Sequence, residues 1–228
     1  MGMISDNLTS VKTQIRAACM EFARPQEAVS LLAVSKTFPV RAVREAYAAG
    51  QRAFGENYIQ EGVEKTLALA QLAEIEWHMI GPIQSNKTRL VAEHFHWAHS
   101  VDRLKIAQRL SEQRPAHLPP LQICVQVNTD GGANKSGCLP SEALDLCIEV
   151  SKLPNLQLRG LMVIPEPASD FIASCAAFMP AKELFLSIKQ HIPAMDTLSM
   201  GMSADLRAAV KEGSTMVRVG TAIFGTRK

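Results

Sequence analysis

Residues 31–50 read LLAVSKTFPVRAVREAYAAG, and the shape of that stretch decides the fold. LLAVSK is an apolar run of strand length. Pro39 suits the first turn of a helix, and Gly50 supplies a left-handed stop at its end. The same strand–turn–helix unit recurs along the chain. RAFGEN (52–57) precedes a helix carrying Ile59, Val63, Leu67 and Ala70. WHMIG (77–81) precedes one over 88–95, and HWAHS (96–100) one over 102–113. LQICVQVN (121–128) leads to a helix starting near Ser141, and LQLRGLMVI (156–164) to one over 171–190. TLSM (197–200) leads to a helix beginning at Ser203, and MVRV (216–219) closes the series. Working back from residue 31, Leu8, Val11, Ile15, Cys19 and Phe22 fall at helical spacing, and Arg24-Pro25 ends that segment.

Eight strand-like runs between residues 31 and 225 give about 24 residues per unit, enough for a short strand, a helix and tight loops. Strands alternating with helices pair in parallel through right-handed crossovers. The expectation is a single (β/α)8 TIM barrel over residues 1–228 with an extra N-terminal helix. A doubly wound sheet is the alternative, but it would carry a glycine-rich loop after its first strand, and LLAVSKTFPV has none.

The composition excludes several classes. With 47% hydrophobic and 20% charged residues the chain is neither disordered nor low-complexity. The 24 Lys+Arg are interspersed with 22 Asp+Glu, so no basic stripe points to nucleic acid. Five cysteines without a C-x-x-C pair read as reduced thiols. MGMISDNLTS lacks a signal-peptide pattern, and no uninterrupted apolar run approaches membrane-spanning length. A cytoplasmic protein with no membrane partner is expected.

Barrel chemistry sits at the C-terminal ends of the strands. Those ends bring Lys36, Glu56 and Asn57, Gly81, Ser100, Asn128, Met162, Ser199–Ser203 and Arg218–Thr221 to the mouth, the first and the last two being the informative ones. Lys36 shares a strand face with Leu32 and Val34; turned inward over an apolar interior, its amine is desolvated and able to attack a carbonyl. Turned outward, it is an ordinary solvated lysine. In LSMGMSADL, Gly201 permits close backbone approach, and Ser203 reads as an N-cap that aims the Met202 and Ser203 amides at the mouth. Gly220 and Thr221 add amides and a hydroxyl from the next loop. Arg218, alternating with Val217 and Val219, puts a guanidinium on one face of the last strand. The set suits an aldehyde, a phosphate and a flat acceptor. Pyridoxal 5′-phosphate offers all three, and a phosphorylated aldose or ketose the first two. His94, His96 and His99 straddle a helix end and a strand with no further ligand, which argues against a metal. Ser136 shows no base partner, and Lys135, in the polar loop DGGANKSG, reads as exposed near the mouth.

LLAVSKTFPV, FGENYIQE (54–61), WHMIGPIQSNK (77–87) and LSMGMSADLRAAVKEGSTMVRVGTAIFG (198–225) together resemble the YggS/PROSC family of pyridoxal phosphate homeostasis proteins, along nearly the whole chain. Their fold is similar to the barrel domain of bacterial alanine racemase. The resemblance implies a Schiff base between Lys36 and pyridoxal 5′-phosphate. It implies that Ser199, Gly201, Met202, Ser203, Gly220 and Thr221 surround the phosphate, that Arg218 faces the pyridine nitrogen, and that Asn57 contacts the ring's side. It further implies a monomer without established catalysis that buffers the cofactor or supplies it to apo forms of pyridoxal-phosphate enzymes, with effects on amino-acid and 2-oxo-acid balance. The competing expectation is a weakly active amino-acid racemase or lyase. Against it, only Tyr47 and Tyr58 are available as tyrosine bases, and three residues follow Gly225, which leads to the expectation of an open mouth.

Overall fold

The eight apolar runs become eight strands: β1 (Ser30–Val34), β2 (Ala53–Glu56), β3 (Glu76–Met79), β4 (Trp97–Val101), β5 (Leu121–Gln126), β6 (Leu156–Met162), β7 (Thr197–Ser199) and β8 (Met216–Val219). They pair in parallel, in chain order, and close into a barrel when β8 meets β1, with Leu31 opposite Val217 and Leu32 opposite Arg218. The structure is a computed structural model that describes residues 2–132 and 136–226. Lys135 lies outside the described residues.

Around the strands run α1 (Met3–Glu21), α2 (Val40–Ala48), α3 (Ile59–Ala68), α4 (Thr88–His94), α5 (Leu104–Gln113), α6 (Pro140–Ser151), α7 (Phe171–His191), α8 (Leu206–Lys211) and α9 (Thr221–Phe224). Period-2 alternation sorts each strand into two faces. Leu31, Ala33, Trp77, Met79, Val217 and Val219 point outward and join the helices' apolar stripes in one continuous core. Each large side chain buried there contributes about 1.5–3 kcal/mol. Leu8, Val11, Ile15 and Cys19 bury one face of α1, and Asn7 Nδ2 donates to the carbonyl of Ile223, tying that helix to α9.

The inward face is not the usual stack of branched aliphatics. It carries a small apolar cluster of Trp97, Cys124 and Met162, and beside it the buried polar set His78, His99, Ser199 and Arg218.

Two expectations need correction, and a third needs a qualification. β1 ends at Val34, so Lys36 sits two residues beyond it in a turn rather than on the strand. Ser203 does not cap a helix: residues 203–205 form a turn in which the Asp205 amide donates to the Met202 carbonyl at 3.3 Å and the Asp205 carboxylate accepts the Met202 amide at 2.5 Å, and α8 starts at Leu206. Finally, α7 is by length and composition long and apolar enough to cross a membrane, although Lys182 and Glu183 interrupt any unbroken run. Here it packs along the barrel with Cys175, Phe178, Ala181, Phe185 and Ile188 buried.

Candidate functional site

The mouth is built around residues 35–37. Ser35 continues the ladder by donating its amide to Gly55 at 3.0 Å. Lys36 follows, half-buried, and Thr37 then turns through φ +66°, a left-handed conformation that costs a β-branched residue about 1–3 kcal/mol. Side chains of β2 and α3 hold that turn. Lys65 Nζ donates to the carbonyl of Ser35 at 2.7 Å and pairs with Glu56 at 2.8 Å and Glu61 at 2.7 Å. Glu61 accepts the Thr37 amide at 2.6 Å, and Glu56 accepts the Ser35 hydroxyl at 2.6 Å. The main chain is therefore clamped on both sides of Lys36. Burial pushes the Glu56 carboxyl up, opposed by the Lys65 charge, and its Oε2 has no hydrogen-bond partner among the described residues.

Arg218 points inward, as the alternation of β8 requires, and is 5% exposed. Its Nη1 donates to the carbonyl and hydroxyl of Ser199, each at 2.8 Å, and its Nη2 to the carbonyl of Val163 at 2.9 Å. Desolvation lowers its pKa to about 10, so the group stays charged at neutral pH.

Ser199, expected at a phosphate, is fully buried below the rim, its hydroxyl held between Arg218 and His99 Nδ1. Gly201 follows at φ +95°, where an added Cβ would also lie 2.4 Å from that of Ala209. Met202 and Ser203 are exposed on the loop beyond it, and Ser203 lines a groove against Gln14, Ala18 and Glu21 of α1. Gly220 lies against the end of β1 and leads into α9, whose first amides belong to Thr221 and Ala222. β1, β7 and β8 thus bring Lys36, Arg218, Gly201 and Gly220–Thr221 to one rim.

Asn57 approaches from the β2 side. A side chain at Gly81 would collide with the Asn57 carbonyl, at 2.0 Å from the added Cβ, so the two loops touch only because residue 81 is glycine. Asn57, Gly81, Gln126, Asn128 and Ser136 line a cavity of about 190 Å³ at the mouth. The side-chain oxygen of Asn57 is buried without a hydrogen-bond partner among the described residues. The three neighbouring histidines part ways: His94 ends α4, His96 Nδ1 accepts the Trp77 amide at 3.0 Å, and His99 enters the interior.

The chain matches the family model described as "Alanine racemase, N-terminal domain" over residues 7–228. It is similar to the pyridoxal phosphate homeostasis protein of Pseudomonas aeruginosa, 58% identical over 227 residues that cover 100% of this chain and 97% of that one. The chain belongs to the pyridoxal phosphate homeostasis protein family. The family's curated relatives are named as homeostasis proteins rather than as enzymes. PipY of Synechococcus elongatus, solved with PLP bound, is 38% identical with a TM-score of 0.84, covering 97% of this chain and 100% of that one. Alanine racemase of Corynebacterium glutamicum shares the fold alone, at 16% identity and a TM-score of 0.67 over 99% of this chain and 61% of the racemase.

For this homeostasis-family member, sequence reading placed Asn57, Gly201, Gly220 and Thr221 just past strand ends and Arg218 on β8, as the structure has them, but put Lys36 on a strand that stops two residues short of it. It placed Glu56 at a strand end without giving it a role, and it missed Glu61 and Lys65, whose only signal was charge at i, i+4 on α3, a pattern that normally marks a solvated face. It also missed the interior pair His78 and His99, which no spacing rule connects.

Proposed function

We propose that this chain holds pyridoxal 5′-phosphate at the barrel mouth and buffers or delivers it to apo forms of the enzymes that use it. The observation that carries this reading is PipY, a full-length match solved with PLP bound. The residues present fit the group. The buried Asn57 oxygen lacks a donor among the described residues, Arg218 presents a fixed cation, and Gly220 and Thr221 open a short helix whose first amides have no intrahelical acceptor. When bound, pyridoxal phosphate supplies an aldehyde for an amine and a conjugated ring that withdraws electrons.

Lys36 is the residue proposed to bond the aldehyde, and the Lys65 clamp fixes the backbone from which its amine reaches. Gly201, Gly220 and Thr221 are proposed around the phosphate, with Met202 and Ser203 at the outer edge. Met202 contributes its main chain only if the contact with Asp205 opens. Ser199 acts through Arg218 rather than on the phosphate. Arg218, proposed to face the ring nitrogen, would donate a hydrogen bond without surrendering a proton and would so keep the ring a weak electron sink. That arrangement suits holding the cofactor over turning substrates with it.

The test is transfer. The cofactor-loaded chain mixed with an apo-enzyme should restore activity, while Cα of alanine gains no solvent deuterium at enzymatic rates, on the order of 1–10³ per second. Failure to load or to restore activity overturns the carrier reading, and rapid deuterium uptake that depends on Lys36 would replace it with a racemase.

A further inference from the structure

The interior holds a chain of polar side chains that the barrel fold does not require. Arg218 Nη1 lies 2.8 Å from Ser199 Oγ. Ser199 Oγ lies 3.1 Å from His99 Nδ1, on the opposite wall. His99 Nε2 lies 2.9 Å from His78 Nδ1; beyond it Glu76 Oε2 stands 3.8 Å from His78 Nε2, outside hydrogen-bond reach, so that nitrogen has no hydrogen-bond partner among the described residues. The row therefore runs from the guanidinium on β8 through β7 and β4 to the start of β3, where Glu76 meets solvent. The three middle residues are buried to 0% exposure.

We propose that Ser199, His99 and His78 form a one-directional hydrogen-bond relay running inward from Arg218, its far end polarised by the Glu76 carboxylate, making these three the positioning residues for Arg218.

The direction follows from the two ends. A guanidinium only donates and a carboxylate only accepts, whereas a hydroxyl and a neutral imidazole each do both. Arg218 gives a hydrogen to Ser199 Oγ, whose own hydrogen then goes to His99 Nδ1. His99 therefore carries its proton on Nε2 and donates it to His78 Nδ1. His78 in turn carries its proton on Nε2, facing Glu76. The reversed order would leave a bare ring nitrogen of His78 facing a carboxylate. Both ends select the same tautomer for both rings.

The surroundings support neutral rings. Desolvation lowers the pKa of His78 and, further, that of His99. His78 stacks on Trp97 with centroids 5.1 Å apart and planes 10° apart, which fixes its ring plane. The Arg159 guanidinium lies 4.8 Å from the other side of the same indole system, held by Asp196 and Gln122. At the mouth end, the Nη1 and Nη2 bonds to Ser199 and Val163 fix the guanidinium plane, leaving the Nε hydrogen and one Nη2 hydrogen for a ligand. A ligand drawing on those hydrogens would polarise the whole row.

The test is tautomer-resolved ring-nitrogen NMR on the ¹⁵N-labelled full chain without ligand, the resonances assigned with His78→Gln and His99→Gln. The expected result is both rings neutral and protonated on Nε2. A proton on Nδ1 of either ring, or a charged ring at neutral pH, overturns the relay. In Ser199→Ala, His99 should lose its fixed tautomer and His78 should respond, while Ser199→Thr should keep the native pattern; unchanged tautomers in Ser199→Ala overturn it. Should Ser199→Ala fail to fold, the native tautomers decide alone. A last arm rests on the cofactor reading: adding pyridoxal phosphate should shift the ring-nitrogen resonances of His99 and His78. Bound colour without that shift overturns the relay. Absence of colour overturns the cofactor reading, and the ligand-free tautomers still judge the relay.

Discussion

Neutral imidazoles in a barrel interior make the fold sensitive to acid. His78 and His99 have folded-state pKa values pushed down by burial, and His96 is shifted the same way. The unfolded chain, with histidines near ~6.5, binds more protons in the window between the folded and unfolded values. Stability is therefore full above about pH 6.5 and is lost as pH falls below it, by roughly 1.4 kcal/mol per pH unit for each ring kept neutral. Chemical denaturation at pH 7.5 and pH 5.5 should show that decline, and His99→Gln should reduce its slope; an equal slope in the variant would remove His99 from the explanation. Glycine 81 makes a second prediction at this scale. Gly81→Ala should lower the melting temperature by several degrees, since its methyl would overlap the Asn57 carbonyl. It should also weaken pyridoxal phosphate binding, read by titration of absorbance, because Asn57 must withdraw.

At the scale of elements, α3 and β2 do more than wrap and line the barrel: through Lys65, Glu61 and Glu56 they hold the turn after β1. Lys65→Met should cost about 3–5 kcal/mol by urea denaturation, because it strands a buried carboxylate. Glu56→Gln combined with it should recover part of that loss, and a double variant no more stable than the single one would contradict the account. The clamp also marks where sequence reading stops. The eight strands were legible because apolar runs of strand length, each followed by a helical pattern, need no tertiary information. The partners of Lys65 were not, since Ser35 lies 30 residues away and a charged helix face reads as solvated by default. Ser203 failed for a related reason: serine before a helical pattern signals a cap, but the Asp205 amide that such a cap would take donates to the Met202 carbonyl instead. Arg218 was legible in position, from the alternation of MVRV. Its direction was settled only by closure of β8 on β1.

For the whole molecule, closure of eight parallel strands collects at one rim groups that are scattered from residue 36 to residue 221. No local segment contains the site; the barrel assembles it. The central claim is that this rim holds pyridoxal phosphate through the amine of Lys36. Its most direct measurement is to load the purified full chain with the cofactor, reduce it with borohydride, and locate the added mass by peptide mapping. The account predicts a coloured protein with one label per chain on the peptide containing Lys36. A chain that takes up no cofactor in excess, or a label found only on other lysines, would contradict it.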